Sequence, residues 1–120
     1  MAKRLPRTRA AIGRQNKRRG NEGERHVRAV LETQGYMVTK AGGSLGAADL
    51  IAGKLNQTHA IQVKTNKPTR KDWNNLVDAS LKWLVVWSMV WKTPGSKTWS
   101  ISTFFYGISY RPIAGKIFEI

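Results

Sequence analysis

Asp49, Gln62 and Lys64 are the residues whose types and spacing could do chemistry in this chain of 120 residues. Asp49 heads a short apolar segment, Asp49-Leu50-Ile51-Ala52, behind a run of small residues that begins at Gly42-Gly43-Ser44. A second apolar segment, Ala60-Ile61-Gln62-Val63-Lys64, carries an amide and a lysine at alternate positions. In a strand, residues two apart project to one face. Gln62 and Lys64 therefore come together, while Ile61 and Val63 point into a core. If the Asp49 segment pairs with that strand, a carboxylate, an amide oxygen and an ammonium converge. Such a set can hold a hard divalent cation beside a phosphate.

Positioning these groups falls to the elements around them. A helix is expected from Gly20, with Asn21 as its cap and Glu24 three residues on, a capping-box pattern. Val27, Val30 and Leu31 give it an apolar stripe, and Gly35 ends it. Glu24 lies at the edge of that stripe, either reaching back to the Asn21 amide or serving the site. Tyr36–Lys40 reads as a strand, followed by a small-residue loop, Ala41–Gly46. The loop lacks the Gly-Lys-Ser/Thr of a nucleotide-binding P-loop and leads into a strand. Its glycines let a backbone phosphate approach, with Ser44 offering a hydroxyl, or they simply connect a hairpin.

Asp49–Ala52 and Ala60–Thr65 are the next strands, joined by a turn over Gly53–Thr58. Pro68 breaks the chain before a helix from about Arg70 to Lys82, with Trp73, Leu76, Val77 and Leu81 on one face. Trp83, Trp87 and Trp91 are four apart, which fits a helical stripe. Both alternating sets of that segment are mostly apolar and it is rich in β-formers, so a central strand buried on both faces is the expectation. Thr98–Tyr106 forms another strand, and Ile108–Ile120 is irregular or ends in a short one. His26 is expected on the helix surface and His59 in a turn.

Charge bounds the partner. Lys and Arg number 21 against 7 acids, a net +14. Eight of those bases and no acid fall in residues 1–19; the remaining 13 bases and 7 acids leave +6 on residues 20–120. The expected organisation is a flexible basic arm over 1–19 and one domain over 20–120. A polyanion is the implied partner, nucleic acid ahead of a membrane surface. The absence of cysteine fits a reducing, cytoplasmic setting, the host's if the protein is viral. No apolar run approaches the roughly 20 residues needed to span a bilayer.

Each motif is weak singly; in order and together they are specific. Gly23-Glu24-Arg25, Leu31 to Tyr36, Gly42-Gly43-Ser44, Asp49 to Gly53 and Ile61-Gln62-Val63-Lys64 resemble the PD-(D/E)XK nuclease superfamily, and within it the archaeal-type Holliday junction resolvases. The resemblance runs from about Gly20 to Tyr106. It implies an α/β, restriction-endonuclease-like core with a central mixed sheet of about five strands flanked by helices. It further implies Glu24, Asp49, Gln62 and Lys64 as the catalytic quartet, with Ser44 in a mobile catalytic loop. Asp49, Gln62, Glu24 and the Val63 backbone carbonyl would hold Mg²⁺, for which Mn²⁺ substitutes. Arg25, Lys40, Ser44 and Lys67 would contact DNA, with Arg14, Lys17, Arg18 and Arg19 on the arm.

The activity implied is paired hydrolysis of phosphodiesters in a four-way DNA junction by a homodimer, without a small-molecule cofactor. The helix around Trp73–Leu81 and the tryptophan-bearing strand are the candidate dimer surfaces. Gln62 departs from the commoner acid at its position, which leaves the site one charge short. A nuclease acting on other branched or duplex DNA, and a non-cleaving DNA-binding protein, are the rival readings.

Overall fold

A computed structural model describes residues 9–42, 46–55 and 57–109. The order is α1 (Arg9–Thr33), β1 (Met37–Lys40), β2 (Leu50–Lys54), β3 (Gln57–Lys64), α2 (Arg70–Lys82), β4 (Val86–Trp91), β5 (Ser100–Phe105) and β6 (Ile108–Ser109). The strands form one mixed sheet in sequence order, β1 to β6. All neighbours are antiparallel except β3 and β4, which run parallel because α2 crosses between them. The fold class read from the sequence holds, with a sixth, two-residue strand at the edge.

Alternation along the strands divides the core between the two faces. Ile61 and Val63, with Leu50, Ala52 and Val38, pack under Val27 and Leu31 of α1. Ala60, Trp87 and Met89 face the other way and pack with Leu76 of α2. Val27 and Leu31 are wholly buried and lie one helical turn apart, so they fix which face of α1 meets the sheet. Burial of each contributes about 1.5–3 kcal/mol.

The helix ends show why the chain turns where it does. Gly35, at φ +90°, lets the Gly35 N–H reach the Glu32 carbonyl and the Tyr36 N–H reach that of Leu31. This is a Schellman closure, with Tyr36 and Leu31 joining the same core. At the start of α2, Thr69 and Asp72 form a reciprocal capping box. Where α1 passes over β3, Gly23 is needed: a Cβ there would lie 2.9 Å from Thr65 Cγ2.

Several expectations are corrected. The first helix begins at Arg9, so Gly20 and Asn21 are internal and the Asn21–Glu24 capping box does not form. Residues 9–19 are helix rather than unstructured arm; residues 1–8 lie outside the described residues. Gly13, Gly20 and Gly23 each cost the helix about 1 kcal/mol, and good formers such as Ala10, Ala11, Gln15 and Lys17 carry it through. The expected turn over Gly53–Thr58 is mostly strand: β2 runs to Lys54 and β3 begins at Gln57, with Leu55 in the left-handed region at φ 53°. His59 is therefore a buried strand residue opposite Ala52, packed edge-on to Tyr36. Burial lowers its pKa and favours the neutral ring. Trp83 caps α2 instead of opening β4, and Leu81 turns outward. No helix among the described residues is long and apolar enough to cross a membrane.

Candidate active site

Asp49 sits where the chain leaves the small-residue loop and enters β2. Its N–H donates to the Ile61 carbonyl at 2.8 Å, and its own carbonyl accepts from Ala41 N–H at 2.9 Å. Its carboxylate accepts the Val63 N–H at 2.8 Å. Asp49 thus grips β3 on both sides of Gln62, by backbone before it and by side chain after it. Gln62 and Lys64 stand on the sheet face that carries Ala60, under α2. Gln62 is partly buried, and its Oε1 is sealed from solvent with no hydrogen-bond partner among the described residues.

Glu24 and Lys40 approach from the α1 face. Val38 packs under α1, and Lys40, two residues on, shares its side. Lys40 Nζ lies 3.7 Å from Glu24 Oε2, the lysine well exposed and the acid largely covered. Without a capping box to serve, Glu24 is left with this pair. Its charge also reaches Asp49. Burial raises the Asp49 pKa first; the Val63 N–H opposes that, Glu24 adds to it, and Lys64 and Lys40 pull the other way. Charges from both faces of the sheet therefore meet at the start of β2.

Lys64 Nζ lies 3.2 Å from Asp72 Oδ1, in a pair more sheltered than a free surface contact. Asp72 was missed in the sequence, where only its helix was read; the Thr69-x-x-Asp72 spacing was the available signal. The carboxyl is pushed up by burial, but the Thr69 N–H, Lys64 and the Thr69 hydroxyl outweigh this and hold it below the usual carboxylate range.

The remaining expected residues are dispersed. Arg25 and Lys67 are exposed, next to Glu24 on α1 and just beyond β3. Arg18 is exposed on α1; Arg14, Lys17 and Arg19 belong to the same helix, and their side chains lie outside the described residues, as does Ser44. Among the described residues no three His, Cys, Asp or Glu side chains cluster in a way that could hold a metal. A cation at Asp49 must therefore draw on amide or backbone oxygens as well as carboxylate. A buried amide oxygen without a partner among the described residues, one residue along from the N–H that fixes the carboxylate, fits that demand.

A mixed sheet with one helix on each face, and an acid, an amide and a lysine at the β2–β3 junction, defines a restriction-endonuclease-like α/β protein. The archaeal Holliday junction resolvase (hjc) family matches residues 15–92, and the chain belongs to that family of junction-resolving endonucleases. In structure the chain is similar to the Holliday junction resolvase Hjc of the archaeal hyperthermophile Archaeoglobus fulgidus, at 21% identity over 72% of each chain with a TM-score of 0.53. A search of curated proteins finds no match.

Proposed function

We propose that this resolvase cuts branched DNA at a cation site built from Asp49, Gln62, Glu24 and the Val63 carbonyl, with Lys64 acting on the scissile phosphate. The observation that carries this is the orphaned Gln62 Oε1 on the residue next to Val63, whose N–H clamps the Asp49 carboxylate. Alternate residues of a strand direct their backbone groups to opposite neighbours. The Lys64 carbonyl accepts from Lys92, on the β4 side. The Val63 carbonyl therefore turns with its N–H toward Asp49.

A bound Mg²⁺ or Mn²⁺ would supply a water of lowered pKa and neutralise phosphate charge. Asp49 contributes a hard anionic oxygen whose orientation the Val63 N–H fixes. Gln62 contributes a neutral oxygen, which gives the site less affinity than an acid would and favours Mn²⁺ over Mg²⁺. Lys64 holds a positive charge where negative charge builds on the phosphoryl oxygens. Glu24, kept near by Lys40, closes the site from the α1 side.

Paired cutting of two opposed strands calls for two sites, and we place the dimer contact at the end of α2 and the β5–β6 hairpin. Leu81, Leu84, Phe105, Tyr106 and Ile108 are exposed there. Gly107 lies against Leu81 and Val77, which makes the patch continuous. A synthetic four-way junction incubated with Mg²⁺ or Mn²⁺ and run on a denaturing gel tests the reading. Paired symmetric nicks are expected; tight binding with intact strands in both metals would leave a DNA-binding protein.

A further inference from the structure

We propose that Asp72 is a positioning residue for this reaction, holding the Lys64 ammonium at the site from the first turn of α2. This rests on Lys64 acting at the phosphate, as set out above. Lys64 ends a long, flexible side chain at the last residue of β3. Little on its own strand restrains it: the residue sharing its face two positions earlier is the neutral Gln62, and the Asp49 carboxylate is engaged by Val63 N–H. Among the described residues the ion-pair partner of Lys64 is Asp72, at 3.2 Å.

Asp72 is built to stay in place. Its two oxygens have separate tasks: Oδ2 accepts the Thr69 N–H at 2.8 Å, and Oδ1 faces Lys64. Its own N–H is bound by Thr69 Oγ1 at 3.2 Å. The carboxylate is therefore oriented by the helix start before the lysine arrives, and the connection through buried Pro68 ties that helix start to β3. An ammonium has three N–H donors. One can remain on Asp72 while the others turn to phosphate oxygens, so substrate need not break the pair. The pair fixes where the charge stands, and preorganised charge is what stabilises a transition state.

The test compares four variants of the full chain on a four-way junction at saturating Mn²⁺: Asp72→Asn, Thr69→Ala, Lys64→Ala, and Lys64→Ala with Asp72→Asn. Asparagine keeps an oxygen for the Thr69 N–H and removes the charge. Its single-turnover cleavage rate is expected to fall roughly 10–100-fold, the range for losing a supporting partner, with junction Kd within about two-fold. Thr69→Ala, which removes the hydroxyl from the same helix start but keeps the Thr69 N–H on Oδ2 and the charged pair, should lower Tm and slow cleavage far less than Asp72→Asn. Adding Asp72→Asn to Lys64→Ala should slow cleavage no further. Asp72→Asn cleaving normally while Lys64→Ala is inactive overturns the positioning role alone. Equal slowing by Thr69→Ala and Asp72→Asn overturns it too, assigning the effect to the helix. Normal cleavage by Lys64→Ala removes the catalytic lysine, and Asp72's role with it.

Discussion

At the scale of single residues, the site sets charge against burial. Asp49 is covered, and its pKa is raised chiefly for that reason. A carboxyl whose pKa is higher folded than unfolded binds its proton more tightly in the native state, so its contribution to stability falls as pH rises through the interval between the two values. Above that interval the cation-free protein keeps an ionised Asp49 at a cost. Asp49→Asn removes the charge and retains an oxygen for Val63 N–H. It should abolish junction cleavage, preserve or tighten junction binding, and raise Tm by a few degrees at neutral pH. Thermal scans with chelator at neutral pH and near pH 4 check the sign, the gain shrinking at the lower pH. Gln62→Glu puts an anionic oxygen where a neutral one is buried without a partner, and a metal titration should show tighter binding. An unshifted titration would separate Gln62 from the ion.

At the scale of elements, what was legible in the sequence was what depends on alternation. Ile61 and Val63 inward with Gln62 and Lys64 opposite, the helix over Arg70–Lys82, and the doubly buried β4 all follow from period and residue type, and the sheet has that form. Boundaries set by competing local signals were not legible. Asn21 and Glu24 have the types of a capping box, yet propagation through Arg9–Thr33 overrides them. His59 looked like a turn residue because Gly53 and Asn56 precede it, and only strand pairing buries it. Asp72's link to Lys64 is a tertiary contact, invisible to local spacing. Two of the three glycines of α1, Gly20 and Gly23, separate helix propensity from packing. Gly20 has open space around a would-be Cβ, so Gly20→Ala should stabilise by about 0.5–1 kcal/mol. Gly23 abuts Thr65, Val63 and Trp99, so Gly23→Val should cost about 1–3 kcal/mol by overpacking. It should also slow cleavage by moving the neighbouring Glu24. Denaturation midpoints and junction cleavage of the two variants give the comparison; equal stability changes would mean that α1 does not press on β3 at Gly23.

At the scale of the whole molecule, positive charge and an apolar patch among the described residues bear on different steps of the proposed junction cutting. With 21 bases against 7 acids the molecule is drawn to phosphate without reading sequence. Removing residues 1–8, which carry Lys3, Arg4 and Arg7, spares α1 and should reduce the slope of log Kd against log salt by up to about 3. The apolar patch is where the proposed dimer would form. Leu84 is 59% exposed and Ile108 is 70% exposed, and β6 ends the sheet as described, beside the end of α2. A strongly basic molecule gains nothing from a cluster of uncovered apolar side chains unless a partner covers them. Association through a two-fold axis would bury the same patch on both subunits. Like charge opposes that association, so the apolar contact must outweigh it, and moderate salt should strengthen the dimer while weakening DNA binding. Leu84→Glu with Ile108→Glu places carboxylates face to face across the axis. Sedimentation should then report a monomer that still binds duplex arms, and paired nicking should give way to slow single nicks. A double variant that remains dimeric and cuts both strands would move the contact away from this patch.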